Sequence, residues 1–414
     1  MRQPDIVVLG LSITSSWGNG HATTYRSLLR GLAALGRRTL FLERDVSWYA
    51  ANRDAPHPAG ATTRVYESFE DLTSRFEREV AEAELVIVGS YVPEGGRVGE
   101  WVTSIAKGIT AFYDIDTPVT LSHLADNSCE YLTPALIPRY HLYLSFTGGP
   151  VLRILESRYG SRMARELYCS VDTNAYCPEP RERRWDLGYL GTYSEDRQGP
   201  LGHLLCEPAS AWREGRFAVA GPMYPDGIDW PSNVERTIHL APDLHPGFYA
   251  SQRFTLNLTR AAMKTAGYSP SVRLFEAGAC GVPIVSDWWD GLDSLFEPGR
   301  EILISSCADD TLRYLRDLPE GDRLALGAAA RARILAAHTP AHRAQQLESY
   351  LKEAHDNFAS DPARRNGHSR ALPDGATERL AFECGGNPAG AIPGRIDGQS
   401  PADSHLHESA GAGD

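Results

Sequence analysis

Residues 256–289 read LNLTRAAMKTAGYSPSVRLFEAGACGVPIVSDWW and hold two arginines, a Ser-Pro-Ser turn and a glutamate at spacings that suit a phosphorylated ligand. Arg260 closes a predicted strand, Gly267 and Tyr268 stand in the loop after it, and Pro270 comes near the start of a predicted helix that carries Glu276 two turns in. Pro is tolerated in the first turn of a helix, so the free N–H groups of Ser271 and Val272 can point outward at a phosphate. Arg260 and Arg273 add charge to the same anion, and Glu276 is placed to accept both hydroxyls of a ribose. With Tyr268 and with Gly221, next to a strand predicted over 217–220, these residues outline a nucleotide-diphosphate site. Two blander readings stand beside it. Phe275, Ala277, Ala279, Cys280 and Val282 suit an ordinary core, and Glu276 with Arg273 suits a helix ion pair on the surface.

Other groups able to do chemistry lie in the first half. The loop GLSITSSWGNGH ends in Gly18, Asn19 and Gly20 where the first helix is predicted, and such a helix end offers N–H groups and a positive dipole to an anion. A dinucleotide fingerprint needs a small residue at position 23 and a tighter turn, whereas Thr23 and a long loop are present, although Glu43 and Asp45 fall where a ribose-binding acid would. His21 opens that helix and is a candidate general base. Asp114 and Asp116 form a DxD at a strand end, a pattern that can chelate a metal, present a carboxylate to an acceptor, or cap a helix through Asp116. His245, in HPGFY, is a candidate base or sugar contact. Trp288 and Trp289 supply either a sugar-stacking wall or core cover.

The elements that must position these groups follow a repeated grammar. Strands are predicted over 5–9, 39–43, 85–90, 109–113 and 140–146, with helical patterns between them, the first over 22–35. A Pro- and Arg-rich break at 178–184 is followed by strands over 185–193, 217–220, 237–240, 254–258, 283–286 and 301–304, and then by Ala-rich helices over about 322–354. This alternation predicts two doubly wound parallel sheets. The expected units are 1–178, 184–338, a helix over 339–356 that packs back on the first unit, and a disordered Gly/Pro/Ser/His-rich tail over 357–414.

Composition narrows the function. A net charge of −12 without a basic groove argues against nucleic acid, and no apolar run approaches the roughly 20 residues of a membrane span. The N-terminus carries no signal-peptide pattern, and the seven scattered cysteines, with no CxxC, suit thiols of a reducing cytoplasm.

FEAGACGVPIVSD resembles the donor helix and following strand of retaining GT-B glycosyltransferases, a resemblance that implies ribose binding by Glu276. From SSWGNGHATTYRSLL through FYDIDTP and LSFTGG to YSPSVRLFEAGACGVPIVSDWW, the chain is similar to the CgeB-like, spore-maturation type branch over nearly all of residues 4–350. The larger retaining family has a second acid eight residues before Glu276; here Tyr268 stands there. The expectation is therefore an α/β chain of GT-B type with two Rossmann-like domains facing a cleft, transferring a sugar from a nucleotide-diphosphate sugar to an unidentified acceptor. The donor is a co-substrate, and neither cofactor nor metal is required. Arg260, His21 and Asp116 are the catalytic candidates; Asp114, His245 and Trp288 are candidate sugar or acceptor contacts. The likeness implies retention, in which the leaving phosphate can take the acceptor's proton, whereas inversion needs a side-chain base. A sugar-nucleotide epimerase and a silent sugar-nucleotide binder remain as alternatives.

Overall fold

The computed structural model describes residues 3–17 and 19–358. Gly18 and nearly all of the expected tail lie outside the described residues, and 357–358 end a helix. Strands β1 (Ile6–Gly10), β2 (Thr39–Arg44), β3 (Thr62–Tyr66), β4 (Leu85–Gly89), β5 (Ile109–Asp114), β6 (Leu142–Ser145) and β7 (Ala164–Glu166) form one sheet in the order β3-β2-β1-β4-β5-β6-β7. Strands β8 (Trp185–Leu190), β9 (Phe217–Ala220), β10 (Val234–Thr237), β11 (Gln252–Asn257), β12 (Ile284–Ser286) and β13 (Leu303–Ile304) form a second, ordered β10-β9-β8-β11-β12-β13. All strand pairs in both sheets are parallel. The central strands IVVLG and LVIVG are buried throughout, as continuous apolar runs must be when helices cover both faces.

Several boundaries differ from those the sequence predicts. The strand placed at 237–240 is β10, three residues earlier, because VERT pairs with β9 only up to Ala220 and leaves Ile238 in the open. β8 stops at Leu190 instead of 193, where Gly191 turns the chain under Gly221. β3 and β7 carry no apolar run: each is an edge strand, and β3 alternates exposed and half-buried residues.

The chain leaves the first sheet through 167–184, which holds neither helix nor strand. It returns after the helix Glu320–Ala337, and the last described helix, Pro340–Phe358, lies along the first helix, Gly20–Ala34. Gly31 makes that approach possible, since a Cβ there would meet the Pro340 carbonyl oxygen at 2.2 Å. Arg37 bonds Glu348 and Arg165 bonds Glu353 across the same seam. A shared apolar core runs from Leu28, Leu29 and Leu32 to Ala344, Leu347 and Leu351.

Candidate functional site

Strand order reverses between β1 and β4 in the first sheet and between β8 and β11 in the second. Ligands of open α/β sheets bind at such switch points, outside the C-terminal strand ends. The loops found there hold most of the residues singled out above.

On the first lobe, the loop after β1 is fixed by a carboxylate beneath it. Glu43, at the end of β2 and fully buried, accepts hydrogen bonds from Ser12 Oγ (2.9 Å), Ile13 N–H (2.8 Å), Thr14 N–H (3.1 Å) and Thr14 Oγ1 (2.6 Å). Glu43 therefore serves the loop and has no lone pairs left for a ribose. Asp54 accepts from Ser16 N–H, and Asn52 O accepts from Ser15 Oγ. Asn19 donates to the carbonyls of Ser12 and Ser15 and caps the first helix by accepting from His21 N–H. That helix end is thus occupied by its own cap, and exposed Gly20 opens the first turn without holding anything itself.

His21 and Asp116 come together across the switch point. Nε2 of His21 lies 3.9 Å from Asp116 Oδ2, too far for a direct hydrogen bond, and Nδ1 is buried with no partner. Tyr91, after β4, donates to the same carboxylate oxygen at 3.2 Å and meets the imidazole edge-on at 5.3 Å. Burial raises the Asp116 pKa, but His21, Arg260 and Tyr91 outweigh it and hold the carboxyl below its ordinary value. Asp116 stands at the helix N-cap without making the side-chain cap bond, so the capping reading fails. Asp114 corrects the DxD reading. It is fully buried, with Oδ1 taken by Thr120 Oγ1 (2.7 Å) and Asp116 N–H (3.2 Å) and Oδ2 by Tyr143 OH (2.6 Å). Its pKa is pushed up to about 6 by burial, and it offers the cleft neither an acceptor contact nor a metal ligand. Among the described residues no three His, Cys, Asp or Glu side chains are placed to hold a metal.

On the second lobe the cations gather. Arg273, on the helix Val272–Ala279, is buried, donates to Leu190 O, Asn257 Oδ1 (2.9 Å) and Leu258 O, and lies over the Tyr189 ring. Ser271 Oγ donates to the same Asn257 oxygen at 2.6 Å, which leaves the helix without a side-chain cap. Pro270 precedes the N-cap and is not in the first turn as the sequence reading has it; the first helical residue is Val272. Arg197, on the helix Glu195–Leu201, donates to Thr192 O at 2.7 Å while its Nε is buried with no partner. Burial lowers its pKa, and the charges of Arg273 and Arg260 add to that effect. Asp196 interacts with Arg197 and Arg260, and it is already bonded to Ala261 N–H at 2.7 Å. Arg197 and Arg273 bond to carbonyl and amide oxygens, and Arg197 feels the charges of both Arg273 and Arg260, so three positive charges lie close together at this switch point.

The remaining candidates separate. Glu276 is buried and accepts from Tyr249 OH at 2.9 Å; it makes no surface ion pair with Arg273. Gly221 has φ +147, and a Cβ there would meet Gly191 O at 2.0 Å. Tyr268, at φ +47, donates its N–H to Asp290 O and accepts from Gly148 N–H of the first lobe. Its ring fills a slot between Gly149 and Gly291. His245 is engaged by Leu240 O (3.2 Å) and Tyr176 OH (3.5 Å), so it fastens a turn. Trp288 is exposed, whereas its neighbour Trp289 is core. The sequence reading missed Arg197, Tyr91, Tyr249 and Asn257. Arg197 sits in the polar stretch SEDRQG, which carries no motif, and the other three become visible only when distant strand ends meet.

Residues 197–349 match the glycosyl transferase-like family model. The fold is GT-B. Sucrose-phosphate synthase from Thermosynechococcus elongatus is 15% identical, with a TM-score of 0.63 over 86% of this chain and 100% of that one. HepE from Anabaena, solved with UDP and glucose, is 14% identical, with a TM-score of 0.63 over 84% of this chain and all of its own, 100%. The E. coli trehalose-6-phosphate protein, bound with UDP-2-fluoro glucose, is 11% identical, with a TM-score of 0.59 over 84% and 99%. No curated protein matches the chain in sequence. Among the described residues no helix is long and apolar enough to cross a membrane.

Proposed function

We propose that this chain transfers a sugar from a nucleoside-diphosphate sugar to a hydroxyl acceptor, without a metal or other cofactor. The observation that carries the reading is the cluster of Arg197, Arg260 and Arg273 beside an uncapped helix end, placed so that Arg260 is felt at Asp116 on the other lobe. Charge develops on phosphate oxygens as the donor bond breaks, and fixed cations there stabilise the transition state more than the ground state. The buried Nε of Arg197, from which no group among the described residues accepts, adds a donor suited to an anion. Glu276, on the same helix and steadied by Tyr249, is the residue for a ribose. The glycosyl transferase-like match over 197–349 and the fold shared with proteins solved with UDP or UDP-sugars support the same donor class. The CgeB-like likeness and a cytoplasmic setting belong to this proposal; six cysteines among the described residues are free thiols.

On the acceptor side His21 and Asp116 supply a base. The acceptor proton passes to the imidazole, and the carboxylate stabilises the imidazolium that forms. This juxtaposition favours an inverting reaction as a second reading against the retention that the likeness implies. The test is donor turnover by the full chain with the anomeric configuration of the product read by NMR, together with His21→Ala and Asp116→Asn. Inversion with a loss of about two to four orders of magnitude in kcat establishes the base. Retention with little loss removes it, and absence of transfer or donor hydrolysis overturns the enzyme assignment.

A further inference from the structure

The rim of the cleft differs from its floor. Nine large apolar side chains are exposed among the described residues, and five of them, Trp17 (39%), Trp48 (47%), Met223 (60%), Ile238 (79%) and Leu244 (54%), follow the C-terminal ends of β1, β2, β9 and β10. β1 and β2 are neighbours in one sheet, β9 and β10 in the other. The Trp17 and His239 rings touch at 4.4 Å between centroids, so these two strand-end groups face each other from opposite lobes. Exposed apolar residues scattered singly need no explanation, but these five all follow the C-terminal ends of neighbouring strands, on the side where the switch points lie.

Trp17 is displayed by construction. Ile13 and Thr14 are bonded to Glu43 and Ser16 to Asp54, and Asn19 bonds Ser12, Ser15 and His21, so the exposed indole lies between hydrogen-bonded residues on the way to His21. Met223 has φ +69 and precedes Tyr224, whose ring, with that of Trp230, holds the Arg236 guanidinium at 4.2 and 4.5 Å. A site with ionic groups on the floor and rigid aromatic or pliant apolar groups at the mouth matches a molecule of like polarity: a reacting hydroxyl at one end and an apolar body at the other.

We infer that the acceptor is amphipathic, a hydroxyl compound whose alkyl or aryl body rests on the rim of Trp17, Trp48, Met223, Ile238 and Leu244. The inference rests on the proposed glycosyl transfer and specifies its acceptor. Octyl β-D-glucoside below its micellar concentration and methyl β-D-glucoside differ only in the alkyl group, so calorimetric titration of the full chain with each isolates the rim. Burial of two of the added methylenes is enough for about a tenfold tighter Kd. The octyl compound is expected to bind at least tenfold more tightly, and Trp17→Ala and Ile238→Ser each to erase at least threefold of that preference. Both positions are exposed, and an unchanged Tm shows that the variants fold. Equal affinity for the two glucosides, or a preference untouched by both substitutions, overturns the inference. Sedimentation with phosphatidylglycerol vesicles that Trp17→Ala abolishes, without a preference between the glucosides, assigns the rim to a bilayer and also overturns it. Uridine, guanosine and thymidine diphosphates titrated alongside test the donor reading separately: binding of one with no alkyl preference leaves glycosyl transfer standing and removes only the amphipathic acceptor.

Discussion

Replacing Glu43 by alanine is expected to be among the most damaging single substitutions in the first lobe, although Glu43 touches no ligand. Its Oε2 takes the N–H groups of Ile13 and Thr14 and its Oε1 the hydroxyls of Ser12 and Thr14, all of them buried. Glu43→Ala strands two buried backbone donors at about 1–3 kcal/mol each, so a loss of about 2–6 kcal/mol is expected, before any relief from entering water. That is a large part of the roughly 5–15 kcal/mol that holds a typical domain together. Glu43→Gln behaves differently. If its amide oxygen takes the place of Oε2, both N–H groups keep their acceptor, and the two hydroxyls can turn to accept from the amide, so the cost falls to about 1 kcal/mol. Urea unfolding reads both variants, as a shift in midpoint at constant slope. Turnover with acceptor should fall in Glu43→Ala, because the loop carries Asn19 and His21, while nucleoside diphosphate affinity, set on the other lobe, holds. An alanine variant within about 1 kcal/mol of the native protein, or no worse than the glutamine variant, refutes the account.

Glu276→Ala should weaken donor and free nucleoside diphosphate alike, raising KM with little change in kcat, because a ribose contact persists through the reaction; unchanged affinity in calorimetry removes Glu276 from the site. On the proposed reading activity should survive EDTA, because Arg197, Arg260 and Arg273 supply the positive charge; loss restored by manganese or magnesium refutes this. Asp114→Asn should change how stability depends on pH. Burial raises the Asp114 pKa to about 6 in the folded chain, so its contribution is fully present below the unfolded value near 3.8 and is lost as pH rises through about 6. Unfolding free energies of the two proteins should therefore diverge between those limits, and parallel pH profiles refute the assignment.

The central strands were legible because a strand covered on both faces must be continuously apolar, and IVVLG, LVIVG and ITAFYD leave no other reading. Short polar edges such as ARE of β7 carry no such mark, and β10 was misplaced because Ile238 and Leu240 look like core residues and are not buried. On the helix Val272–Ala279, Arg273 joins Ser271 at Asn257 Oδ1, whereas Glu276 turns to Tyr249. What spacing could not tell was which carboxylate faces inward. Asp114 and Asp116 are two residues apart on one strand end, yet one is sealed under Tyr143 and Thr120 and the other lies beside His21. That difference comes from residues on β6 and the first helix, far away along the chain. Arg197 was missed for the same reason, since its surroundings are made by Arg260 and Arg273 from another part of the sequence.

The helix Pro340–Phe358 completes a core that the helix Gly20–Ala34 opens, and the chain between them holds every strand but β1 among the described residues. During synthesis the apolar stripe of Leu28, Leu29 and Leu32 must then wait roughly 15–60 s, at about 5–20 residues per second, before its cover leaves the ribosome. The first lobe cannot reach its final form in order of synthesis, so early termination or a slow stretch of message leaves a nascent chain with a sticky flank, a natural client for a ribosome-bound chaperone.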